Sequence, residues 1–223
     1  MENVADVHSS FYSLLEQVTG TQWIGVTFLK YLMTDSKNFV SAPLRFCEAV
    51  FQARRSCIDV APEVICCEGA KRSFGWVKNS DDALTLKLSE KTGLDMEGAT
   101  QLIKQVPVLG YPYPGIRIGY CPNPDVLVTY VQPKAAMRLV RLWEAIMGHT
   151  LRVAISSIMA VCGNAVVRSY MNQSISLSFG CPDSRRYGGI GPDQLVVAIP
   201  TDLLREMKDI AAKSDALFGA NRQ

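Results

Sequence analysis

Residues 124–147 read PDVLVTYVQPKAAMRLVRLWEAIM, and they decide the fold class. Asp125–Val131 is a run of aliphatic, β-branched and aromatic residues, which predicts a buried strand. Pro133 then opens an amphipathic helix to Met147, because a proline in the first helical turn gives up no intrahelical hydrogen bond. Downstream the rhythm repeats. Arg152–Ile158 reads as a strand and Ala160–Met171 as a helix. Ile175–Phe179 alternates like a strand, Pro182–Tyr187 is a turn or short helix, and Leu195–Ile199 is an apolar strand ended by Pro200. Thr201 caps a last helix through about Leu217. Strands alternating with helices imply βαβ units, so the expected class is α/β, with a mostly parallel or mixed sheet and helices on both faces.

Upstream, the first half reads as a helical insertion around fewer strands. Residues 11–19 predict an opening helix, Trp23–Leu29 a strand, Leu44–Arg55 a helix and Val60–Cys66 a short strand. Glu68–Trp76, Asp81–Lys91 and Met96–Gln105 follow as helices. The texture changes at 107–124, where prolines 107, 112, 114, 122 and 124 with interspersed glycines argue against a long regular element. The expectation is a single α/β domain over 1–223, with sub-lobes near 1–106 and 125–223 joined by this strap.

Composition excludes several classes. Of 223 residues, 48% are hydrophobic, enough for a real core. Lys and Arg number 23 against 21 Asp and Glu, a net charge of +2 with no basic run, so nucleic acid is not an expected partner. The acidic start at Met1–Asp6 is not a signal peptide. The uncharged stretch 153–167 is shorter than the ~20 apolar residues of a membrane span. A soluble, cytoplasmic protein is expected, and nothing fixes its oligomeric state.

Seven cysteines, an odd count in a chain this long, argue against a disulfide framework. Three share a local pattern. Cys67 reads C-E-G-A-K-R, Cys162 C-G-N-A-V-V-R and Cys181 C-P-D-S-R-R. Each follows an apolar run, meets Ala or Ser three residues on, and has Arg within a further turn. Cys47, in F-C-E-A-V, is a looser relative. A thiol at a strand-to-helix junction lies beside unpaired backbone N–H groups that favour its thiolate. Converging thiolates suit zinc or an iron–sulfur cluster, and the absence of any C-x-x-C pair disfavours a zinc knuckle. Buried structural cysteines are the plainer alternative.

Six motifs occur in order: V-T-F-L, R-F-C-E-A-V-x-x-A-R, C-E-G-A-x-x-x-F-G, P-D-V-x-x-x-Y-V-x-P-x-x-A-M-R-L, A-V-C-x-x-A-V-V-R and S-x-G-C-P-x-S-R-R-Y. Together, from about residue 20 to 210, the chain resembles the domain of unknown function 169 family of mostly anaerobic bacteria and archaea. The resemblance supplies no reaction. It implies that Cys47, Cys67, Cys162 and Cys181 are the cysteines that matter, and that Cys57, Cys66 and Cys121 are incidental. It also favours a [4Fe–4S] cluster, with a redox or cofactor-handling accessory role. Two departures stand out: Glu68 and Asp183 occupy positions where the family often has Pro and Gly.

Two further readings stay open. Arg72, Arg168, Arg185 and Arg186 lie near the cysteine junctions and suit bidentate contact with a small anionic ligand. Cys181, followed by Arg185 and Arg186, is the expected nucleophile if the protein is a thiolate-dependent enzyme. The expected partner is a redox protein or a small anion. His8 and His149 are the only histidines, which gives little support to a His-based catalytic engine.

Overall fold

The computed structural model describes residues 4–78, 81–204 and 206, with side chains from Tyr12 onward. Helix α1 covers Val4–Thr19 and strand β1 Ile24–Leu29. Helix α2, Phe46–Gln52, leads to strand β2, Ile58–Val60, and helix α3, Glu68–Ser73. Helices α4, Asp81–Thr92, and α5, Met96–Lys104, pack on each other before strands β3, Gly115–Gly119, and β4, Val126–Val131. Helix α6, Pro133–Met147, ends at Gly148, whose φ of 68° suits a residue without a Cβ. A π-helix over Cys162–Val167 runs into helix α7, Arg168–Asn172. Strand β5, Ser176–Ser178, helix α8, Pro182–Tyr187, and strand β6, Leu195–Pro200, follow. Residues 201–204 are helical, and the rest of the expected last helix lies outside the described residues.

Among the described residues one sheet holds six strands in the order β2-β3-β1-β4-β6-β5, and every ladder is antiparallel. This overturns the expectation of a mostly parallel or mixed sheet. Only two isolated bridges, Phe39 with Asp59 and Leu44 with Ile65, are parallel. Alternation of strand-like and helix-like segments carries no information about pairing direction. After α6 the chain passes through the π-helix and α7 before β5 pairs with β6, so no βαβ unit closes on β4.

Two local expectations change with it. Residues 152–158 form no strand; Ile155 is 49% exposed, and the stretch finds no ladder partner. Conversely, 115–119 inside the Pro/Gly-rich stretch form a strand paired on both edges, with Ile116 and Ile118 fully buried. The expected strand at Val60–Cys66 is shorter and earlier, at β2. Asp59 on β2 and Arg117 on β3 are register partners, joined by two hydrogen bonds of 2.7 and 2.9 Å. No helix among the described residues is long and apolar enough to cross a membrane.

The pleat sorts side chains to two cores. Leu127 and Val131 of β4 and Val197 and Ile199 of β6 meet Leu139, Leu142 and Trp143 of α6 and Leu15 of α1. Val126, Val128 and Tyr130 face the other way, onto Cys47, Ala70, Cys162 and Val166. All four family-matched cysteines pack on or at this second core.

Candidate thiol site

Each of the four cysteines stands at the start of a short helix on the same face of the sheet. Cys47 is in the first turn of α2, Cys67 precedes α3, Cys162 begins the π-helix, and Cys181 precedes α8. Small residues bring these ends together. A Cβ at Gly69 would stand 2.7 Å from Met159 Cγ, and one at Gly163 2.7 Å from Ser73 Oγ, so α3 and the π-helix meet through glycines. A Cβ at Gly188 would stand 3.0 Å from Cys47 Cβ, which seats the end of α8 on α2.

These packings set the four thiols on one side of the sheet, near enough for charge on one to be felt by others. Burial raises the Cys162 thiol pKa well above its usual range, and Cys67, Cys181 and Cys47 are the thiols that raise it further. Burial also pushes Cys47 up to about 12, with Cys181 and Cys67 adding to the shift. Cys67 is raised by burial, then by Cys181. Backbone N–H groups lie against all four sulfurs: Glu48 at Cys47, Ala70 and Gly69 at Cys67, Gly163 at Cys162, and Ser184, at 3.4 Å, at Cys181. These N–H groups work against burial, because they stabilise the thiolate.

Tyr130 completes the site. It is 1% exposed, and among the described residues its Oη has no hydrogen-bond partner. Burial raises its pKa, and Cys47 and Arg54 are among the titratable groups near it. Leaving a buried hydroxyl unmatched costs about 1–3 kcal/mol, and among the described residues Tyr130 shares this condition with Thr27, Trp143 and Arg168. Sequence reading missed Tyr130, since a tyrosine late in an apolar strand looks like core.

Among the described residues no three His, Cys, Asp or Glu side chains are close enough to close on one metal ion. A single zinc, with Zn–S bonds of about 2.3 Å, needs sulfurs roughly 3.8 Å apart. A cluster spreads its thiolates over different irons and asks for no such close approach of one sulfur to the next. Cys66 is exposed, and Cys57 and Cys121 form a separate pair with sulfurs 3.0 Å apart.

The arginines do not gather into one anion site. Arg72 binds the Asp81 carboxylate at 2.6 and 3.3 Å and the Val106 carbonyl at 3.0 Å. Arg185 donates to the carbonyls of Gly191, Pro192, Phe179 and Gln194, clamping the loop after α8. Arg168 donates to Gln105 O and Asn164 Oδ1, while Arg186 lies over the Tyr187 ring at 5.3 Å. Arg45, overlooked in the sequence, stacks on Tyr187 at 4.0 Å and pairs with Asp183 at 3.4 Å beside the site. His149 lies 6.1 Å from Trp143, which packs in the core on the opposite face from the thiols.

No solved structure matches the chain. An uncharacterized protein of Methanocaldococcus jannaschii, MJ0308, aligns over 175 residues at 29% identity, covering 73% of this chain and 74% of that protein. The model of the DUF169 family, described as uncharacterised ArCR, matches residues 19–209, a span that takes in all four convergent cysteines and Tyr130, and the chain belongs to that family.

Proposed function

We propose that the protein is a cytoplasmic iron–sulfur protein in which Cys47, Cys67, Cys162 and Cys181 hold one cluster, a [4Fe–4S] centre, in a redox or cofactor-handling accessory role in anaerobic metabolism. The observation that carries this reading is the convergence of four helix-start thiols, each faced by a backbone N–H. Bound there, the group supplies one-electron transfer. The chain's part is to replace the thiol protons with iron, orient the sulfurs and exclude water. Backbone N–H groups that donate to sulfur raise a cluster's potential relative to a bare site, and the unpartnered Tyr130 hydroxyl is a further candidate donor.

The test is the visible spectrum with iron and sulfide content of protein purified without oxygen. The expected result is a brown protein with equal iron and sulfide, bleached by Cys162→Ser and unaffected by Cys66→Ser. A colourless protein that resists reconstitution, or full iron in Cys162→Ser, overturns the assignment.

A further inference from the structure

Outside the four-thiol site a second pair of cysteines meets across 64 residues of sequence. Cys57 Sγ lies 3.0 Å from Cys121 Sγ. Their approach is built into the sheet. Cys57 directly precedes β2, and Cys121 lies two residues past the end of β3, its ladder partner. Between them Gly119 has φ of 139°, and a Cβ there would stand 2.7 Å from Cys57 Cα. Only glycine allows the two backbones to come this close. The Tyr12 hydroxyl donates to the Cys121 carbonyl at 3.2 Å and fixes the second thiol from α1.

We propose that Cys57 and Cys121 are a dithiol site that a small disulfide oxidant, of the glutathione-disulfide class, converts reversibly to an intramolecular disulfide. The sulfurs need to close by about 1 Å to reach a bond of 2.03–2.05 Å. Cys57 is half-buried and Cys121 2% exposed, so the order of events is set by access. The Cys57 thiolate attacks one oxidant sulfur, breaks its S–S bond and releases one thiolate, leaving a mixed disulfide on Cys57. Cys121 loses its proton and attacks Cys57 Sγ, and the second oxidant half leaves as thiol. The protein loses two hydrogens, and one oxidant disulfide becomes two thiols. Burial holds the Cys121 thiol well above its ordinary range, and the neighbouring Arg117 guanidinium works against that shift, so the second step is the slow one. The inference does not depend on a cluster, because neither thiol belongs to the convergent four.

The test is anaerobically purified full-length protein incubated with oxidised glutathione, trapped with N-ethylmaleimide and mapped by peptide mass. The expected product links the Cys57 and Cys121 peptides, two hydrogens lighter than their sum, and reverts with dithiothreitol. Its melting temperature should rise by about 5–10 °C through closure of the intervening loop. Cys121→Ser should stop at a glutathione adduct on Cys57, and Cys57→Ser should leave Cys121 without one. Full alkylation of both thiols in the treated wild-type protein, or links scattered to Cys66, overturns the proposal without any variant having to fold.

Discussion

The two faces of the sheet are covered in opposite ways. On one, α6 is 15 residues long and buries Ala135, Ala136, Leu139, Leu142 and Trp143, a stripe that packs with α1 on an apolar core. On the other, α2, α3, the π-helix and α8 have only 7, 6, 6 and 6 residues. Helices that short do not hold together by propensity, since nucleation outweighs the few bonds gained. They depend on what their ends pack against, and those ends carry thiols and lie over the strand that bears Tyr130. The first face makes the fold. The second is the candidate site, and the proposed group would pin its four helix starts together.

The largest expected effect breaks the comparison if it fails. Leu139→Ala removes a fully buried side chain from the α6 face and should cost about 2–5 kcal/mol in denaturant unfolding. The loss should be the same in cluster-loaded and cluster-free protein, because the thiols lie across the sheet. A loss confined to one form would mean that the faces are energetically one unit.

Alkaline pH should act on the other face. Burial raises the thiols of Cys47, Cys67 and Cys162 above their ordinary value near 9, and Cys47 reaches about 12. Above pH 9 the unfolded chain has lost these protons while the folded chain keeps them. The cluster-free protein should therefore lose stability as pH rises above 9, by about 1.4 kcal/mol per pH unit up to about 12 for Cys47 alone, with Cys67 and Cys162 acting in the same direction. Loaded protein, whose cysteines are already thiolates, should not show this slope. Chemical denaturation at pH 8 and 10 with and without iron distinguishes the two.

Tyr130→Phe is the smallest and sharpest test. The hydroxyl has no partner, so in the cluster-free protein its removal should be neutral within about 1 kcal/mol or slightly stabilising. In loaded protein it removes a donor near sulfur and should lower the reduction potential, read by anaerobic titration. An unchanged potential would return Tyr130 to the core.

Much of the local structure was legible in sequence, and the reasons are specific. β4 and β6 are dense in aliphatic and β-branched residues, and α6 begins at a proline and ends at a glycine, so their chemistry is local. β3 was not legible, because Gly115, Ile116, Arg117, Ile118 and Gly119 sit among prolines, and a five-residue strand is held by the partners on both its edges rather than by propensity. The stretch 152–158 failed in the opposite way: strand-like residues with no edge to join. The four cysteines could be singled out from their local pattern and the family resemblance. The Cys57–Cys121 pair could not, since nothing in two isolated thiols 64 residues apart announces an approach of 3.0 Å.

By itself, then, the sequence determined most of the helices and the strands β1, β4, β5 and β6, and which residue types could bind metal, because these depend on neighbours within a turn or two. Only the tertiary structure decided that the ladders run antiparallel, that Tyr130 faces the thiols, and that seven cysteines divide into a group of four, a pair and exposed Cys66. Those outcomes depend on which distant backbones can approach, and they are set at Gly69, Gly119, Gly163 and Gly188, where a side chain would hold the elements apart.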